Sequence, residues 1–228
     1  MIRIHVIVEG QTEETFVNEV LAPHFYDMGI YPNAILIGKP GHKGGVISYQ
    51  RAKNDILRIL KQDKEAYCTT MFDFYRLPAD FPGMPFQGSP SSENKAKTIE
   101  KALYKDIEKN LSNTLRPDRF IPYIQMHEFE AILFSDPDAF ARGIFKPNLE
   151  EQLREIRTGF NTPEDIDQEP NGAPSKRILK IFPGYEKVTH GSLAAIEIGL
   201  RKIKDECPNF KIWLGKIENL AIGTGSPF

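Results

Sequence analysis

Carboxylates placed where apolar runs end are the feature of this chain most able to do chemistry. Glu9 closes a run of β-formers, Ile2, Ile4, Val6, Ile7 and Val8, that reads as a buried strand. Asp73 closes a second such run over 66–72, and Glu128 and Glu130 follow a third over 120–125. An ionised carboxylate at the end of a buried strand is costly without compensation, and no cation follows Glu9 closely. Glu13 stands four residues on, so two or three carboxylates converge on a small space. A hard divalent cation, Mg²⁺ or Mn²⁺, is their natural counter-charge. If the strands are neighbours in a parallel sheet, their ends lie about 5 Å apart or twice that. One or two ions bridge either spacing. Glu13 and Glu14 also have a plainer reading, since acids in a first helical turn complement the macrodipole. That reading does not reach Glu9.

The elements that must position these groups alternate between strand and helix. Gly10 permits a sharp exit from the first strand, and Thr12 is the expected helix cap. Phe16, Val17, Val20, Leu21 and Phe25 then recur at helical spacing, with Pro23 a kink and Gly29 a stop. A strand over 34–37 leads to the loop 38–45, which holds four glycines with Lys39 and Lys43. It is either a surface loop or an anion cradle whose lysines meet nucleic-acid phosphates. A helix over 47–60 precedes the Asp73 strand. The proline- and glycine-rich segment 76–92 reads as irregular, a lid or plain surface, and its aromatics either stack on bases or tie the loop down.

The clearest helix spans 93–111, with Ile99, Leu103, Ile107 and Leu111 on one stripe. Its lysine ladder reads as a solvated face, because acids lie between the rungs. Pro122 interrupts the fourth strand and suggests a sheet edge or bulge. Glu128 and Glu130 point different ways in any regular structure, so one of them is expected to reach the site. His127 is either structural, an orienting partner or a general base. Beyond 142 the chain reads as helices over 174–182, 193–206 and 208–220, the last carrying the single Trp213.

The run Val8, Glu9, Gly10, Gln11, Thr12, Glu13, Glu14 resembles the first motif of Toprim domains. It is most similar to those of the overcoming-lysogenisation-defect nucleases. Together with 71–75 and 127–131 it also resembles an uncharacterised Toprim-like bacterial family whose genes lie beside those of ABC- or AAA-type ATPases. The resemblance implies a metal-dependent nuclease, with Glu9, Glu13, Asp73 and Glu128 or Glu130 holding Mg²⁺ or Mn²⁺, Glu128 slightly preferred. It further implies a basic group against the phosphate, from Lys176, Arg177 or His190, and an ATPase partner, with phage defence as the setting. One departure stands out: many Toprim domains read Asp-x-Asp where this chain has Asp73-Phe74-Tyr75. A scaffold subunit with a degenerate site is therefore the alternative to a nuclease. The catalytic assignments are Glu9, Asp73, His127 and Lys176. Nucleic-acid contacts fall to Lys39, Lys43 and Arg177.

Composition narrows the remaining classes. With 228 residues and a net charge of −2, any basic surface for nucleic acid must be local. Cys68 and Cys207 have no metal-ligand spacing. No apolar run approaches membrane-spanning length and no signal peptide is recognised, so a cytoplasmic protein is expected. The expected fold is α/β: a Toprim-like (Rossmann-like) parallel sheet of about four strands flanked by helices. The α/β domain is expected over 1–142, a helical extension over 143–222 and a flexible tail over 223–228. Assembly into a homo-oligomer is left open.

Overall fold

Five strands, all paired in parallel, form the sheet in the computed structural model, which describes residues 1–37, 48–86, 88–111, 116–167 and 172–223. They are β1 (Ile2–Val8), β2 (Ile30–Leu36), β3 (Tyr67–Asp73), β4 (Phe120–Ile121) and β5 (Ile124–Gln125), in the order β2-β1-β3-β4 with β5 also on β3. Residues 68–73 of the central β3 are all buried, as expected of a parallel strand covered on both faces. β2 lies at an edge, where Pro32 can lack an N–H at no cost to the ladder.

The fourth strand is broken where Pro122 falls. Thr70 mends the gap from the neighbouring strand: its hydroxyl accepts from Tyr123 N at 3.0 Å and donates to Tyr123 O at 2.9 Å. Buried backbone groups that the ladder misses are thereby satisfied.

Ten α-helices flank the sheet among the described residues: α1 (Gln11–Phe16), α2 (Ala22–Tyr26), α3 (Tyr49–Gln62), α4 (Ser92–Asn110), α5 (Pro137–Gly143), α6 (Glu150–Thr158), α7 (Pro174–Ile181), α8 (Ser192–Ile198), α9 (Leu200–Glu206) and α10 (Pro208–Ile222). Gly10, not Thr12, occupies the cap position of α1, because Glu14 N already bonds Gly10 O. A π-helical turn, Val17–Leu21, joins α1 to α2 where Pro23 has no N–H to give the carbonyl four residues back. The expected single helix over 193–206 is two, separated at Gly199, whose φ of 76° suits glycine.

Side-chain alternation on β1 divides the interior. Ile4, Val6 and Val8 join the core under α1, α5, α8 and α10, while Ile7 faces α3 and α4 together with Cys68 and Phe72. Phe81, from the irregular segment after Asp73, is buried in the second core and meets Tyr49 edge to face at 5.1 Å. Its ring ties that loop down. On the first side Trp213 of α10 stacks on Tyr123 with centroids 4.4 Å apart, and its Nε1 donates to Thr69 Oγ1 at 2.8 Å. The C-terminal helices therefore belong to the same interior as the sheet. No described helix is long and apolar enough to cross a membrane.

Candidate functional site

In this strand order the chain leaves β1 toward β2 on one side and β3 on the other, which opens a crevice above the carboxyl ends of β1 and β3. Glu9 and Asp73 stand on its two sides. Val8 is in register with Met71, and Glu9 Oε1 accepts the Asp73 backbone N–H at 2.8 Å. That bond aims the Glu9 side chain across the crevice. Glu13 comes from the first turn of α1 and is 3 % exposed. It folds back over Gly10, where a Cβ would approach Glu13 Oε2 to 3.1 Å. Glu130 enters from the 3₁₀ segment Phe129–Ser135 and is 1 % exposed.

The counter-charge comes from the far end of the chain. Lys187 opens the π-helical turn Lys187–Gly191, just before α8. Its Nζ lies 3.2 Å from Glu13 Oε1, 3.3 Å from Asp73 Oδ2 and 3.2 Å from Glu130 Oε2. Arg76 Nε stands 3.5 Å from Glu9 Oε2. Four carboxylates thus share two cations.

Burial pushes the Glu9 carboxyl up to about 8, reinforced by the Asp73 charge and offset by the Asp73 amide and Arg76. Burial likewise raises Asp73 to about 7, outweighing the attraction of Lys187. Glu130 is raised for the same first cause. Burial alone would lower Lys187, but Asp73, Glu130 and Glu13 carry it above the usual lysine range. The ammonium therefore stays charged among the acids that surround it. Glu9 Oε2 and Glu130 Oε2 are buried without a well-aligned hydrogen bond among the described residues.

That set of donors suits a hard cation, because all of them are carboxylate oxygens and two, though near a cation, lack an aligned hydrogen bond. Among the described residues no three His, Cys, Asp or Glu side chains are already gathered at metal-ligand spacing. The oxygens are spread instead around an ammonium. A metal and the Lys187 head group would occupy the same place, so the donor chemistry fits while Lys187 stands aside.

The other expected site residues are scattered more widely. Glu130, not the preferred Glu128, meets Lys187; Glu128 Oε2 instead accepts the Ser175 N–H at 3.0 Å, at the start of α7. Glu128 precedes the 3₁₀ segment and Glu130 lies within it, and the two have different partners although both line one small cavity. His127 is 2 % exposed with a φ of 62°, 3.4 Å from Asp167 Oδ2 and away from the carboxylate cluster. Lys176 lines a neighbouring cavity. Arg177 donates to Gly172 O and covers the Phe160 ring at 5.0 Å. His190 accepts the Glu186 N–H at 2.8 Å. Lys39 and Lys43 lie outside the described residues. Tyr75, in the place of the second Asp, sits beside the His127 ring, centroids 5.3 Å apart.

Two basic residues at the site escape a reading of the sequence. Arg76 is within reach of it, three residues past Asp73 on the same strand exit. Lys187 carries no signal, because nothing local links it to positions 13, 73 and 130.

A cavity of about 200 Å³, lined by Asp73, Arg76, Glu128, Glu130, Tyr185 and Lys187 among others, leads to the cluster. A larger one of about 1010 Å³ shares Glu128 with it. A family model described as "Domain of unknown function (DUF4276)" matches residues 8–218. No curated protein and no solved structure matches the chain.

Proposed function

The chain belongs to the DUF4276 family, and because that description assigns no chemistry we propose a function from the site itself: hydrolysis of phosphodiester bonds in DNA or RNA, dependent on Mg²⁺ or Mn²⁺. One observation carries this reading, the convergence of Glu13, Asp73 and Glu130 on a single point with Glu9 alongside. The resemblance of residues 8–14 to the first Toprim motif supports the same chemistry. Glu9, Glu13, Asp73 and Glu130 would hold the ion, which when bound supplies Lewis acidity and an activated water.

The protein's own groups account for the rest. The Asp73 amide fixes Glu9, and burial keeps the cluster dry enough for its charges to act strongly. Arg76 and Lys187 are the cations nearest the place where phosphate oxygens would carry charge, and Lys187 takes the role that the sequence offers to Lys176, Arg177 or His190. With an ion held by the carboxylates, Lys187 would be displaced from them and free to meet a phosphate oxygen.

A second reading is favoured by one feature. A carboxylate cluster already neutralised by an internal ammonium is self-contained, as a catalytically idle scaffold in an ATPase complex would be. Calorimetry with Mn²⁺, comparing wild type with Glu9→Gln/Asp73→Asn, separates the two. The hydrolase binds Mn²⁺ saturably, loses that binding in the double variant, and cleaves a fluorescent oligonucleotide only with metal. A wild-type protein that takes up no Mn²⁺ leaves the scaffold.

A further inference from the structure

The 1010 Å³ cavity beside the carboxylate cluster is built from different groups than the cluster itself. Its wall includes Tyr75, Ser92, Lys95, His127, Asp167 and Lys176, and it touches the catalytic candidates through Glu128. The volume is at the upper end of the ~300–1,000 Å³ typical of small-molecule sites.

The N-terminus of α4 opens onto this cavity through Ser91, Ser92 and Lys95. A helix of 19 residues presents unpaired first-turn amides and a positive dipole end there. Ser91 satisfies one of them, accepting from Asn94 N at 3.3 Å. A second, independent observation lies opposite. His127 is 2 % exposed and lines the cavity, yet its Nδ1 makes no hydrogen bond among the described residues. The nearest acidic oxygen, Asp167 Oδ2, is 3.4 Å away. Its Nε2 and Ser92 Oγ approach each other at 3.5 Å, so the hydroxyl, the imidazole and the helix end meet in one corner.

Both signs of charge line the wall, and their partners decide which is available. Glu128 accepts from Ser175 N, and Asp165 accepts from the Thr162 hydroxyl. Asp167 lies against His127 and raises the Tyr75 hydroxyl above its usual range, after burial. Lys95 instead lies over the Phe74 ring at 5.6 Å and pairs with no carboxylate among the described residues. Each acid on the wall thus has a donor of its own, whereas Lys95 has no carboxylate and His127 Nδ1 no hydrogen bond among the described residues. Tyr75 and Phe160 supply ring faces in the same cavity.

We propose that this cavity binds the terminal nucleotide of a phosphorylated strand, its phosphate in the corner made by Ser92, Lys95, His127 and the start of α4. The base lies against the Tyr75 and Phe160 side of the cavity, where stacking is tolerant of sequence. This inference rests on the phosphodiesterase reading for the identity of the ligand, and it deepens that reading by giving the enzyme a strand end rather than an internal site.

Thymidine 5′-monophosphate tests it by calorimetry in the presence of a chelator, so that no metal contributes. Saturable binding is expected, with thymidine weaker by about tenfold or more, as the loss of a charge-assisted contact dictates. Lys95→Gln, at a half-buried position, should reproduce that loss for the monophosphate and leave thymidine binding unchanged. His127→Asn, a residue that tolerates the positive φ, should weaken the monophosphate as well. Glu9→Gln/Asp73→Asn should bind it as wild type does. Absence of monophosphate binding, or binding indifferent to Lys95→Gln, overturns the proposal. So does binding that the Glu9/Asp73 variant loses, which would seat the nucleotide at the carboxylates. Monophosphate binding in a protein that takes up no Mn²⁺ upholds the cavity while removing the metal reading.

Discussion

At the scale of single residues, Lys187 decides the electrostatics of the site. Removing one partner of a buried ionic group leaves uncompensated charge, at a cost of about 3–5 kcal/mol. Lys187→Met should therefore lower the midpoint of chemical unfolding sharply in chelator. If the cluster accepts a divalent ion, Mn²⁺ should restore much of that loss, because ligand bound only to the folded state adds stability by mass action. The pH dependence follows from the raised carboxyls. Glu9 at about 8, Asp73 at about 7 and Glu164 at about 7 bind protons more tightly folded than unfolded, where their values are 4.5, 3.8 and 4.5. Their contribution is full below about pH 4 and is lost as pH climbs through 7 to 8. Thermal melts in chelator should thus fall from pH 5 to pH 8, and Glu9→Gln should flatten the upper end of that slope. Glu9 and Asp73 are legible as site residues because each closes an apolar run. The choice between Glu128 and Glu130 is not, since it depends on a 3₁₀ path that neither helix nor strand periodicity describes.

At the scale of elements, two close contacts fix the packing, one from α10 to the sheet and one between α5 and α8. The Trp213 indole donates to Thr69 Oγ1, whose hydroxyl in turn donates to Ile121 O beside the Pro122 break. Trp213→Phe keeps most of the stacking on Tyr123 and deletes the bond, which should cost about 1–2 kcal/mol in denaturant unfolding. Where α5 crosses α8, a Cβ on Gly143 would come within 2.7 Å of Ala194 Cα. Gly143→Ala must push these backbones apart, so a loss of about 1–3 kcal/mol is expected from overpacking. The positions of α3, α4, β1 and β3 can be read from the sequence because their apolar stripes are regular, whereas β2 begins at Ile30 and not at the expected 34, its first half being masked by Tyr31, Pro32 and Asn33. The division at Gly199 and the π turns cannot, since the apolar spacing runs on across them and the interruption is a matter of backbone geometry.

At the scale of the whole molecule, the expected boundary near residue 142 crosses one continuous interior. Ile4, Val8 and Met71 share a core with Ala194, Phe210, Trp213 and Ile217. A protein ended at residue 142 would expose that face and lose Lys187, so it should fail to unfold cooperatively in calorimetry, whereas cooperative unfolding is the expected outcome for the 228-residue chain. The parallel α/β sheet is readable from the alternation of strands and helices, but the docking of the last third is not, because apolar helix faces do not name their partners. The same arrangement has a temporal consequence. During synthesis, positions 9, 13, 73 and 130 leave the ribosome well before 187, so the newborn sheet must wait for its neutralising ammonium. The burial of those acids, and the raised proton affinity that burial brings to Glu9 and Asp73, are therefore completed only with the last third of the chain.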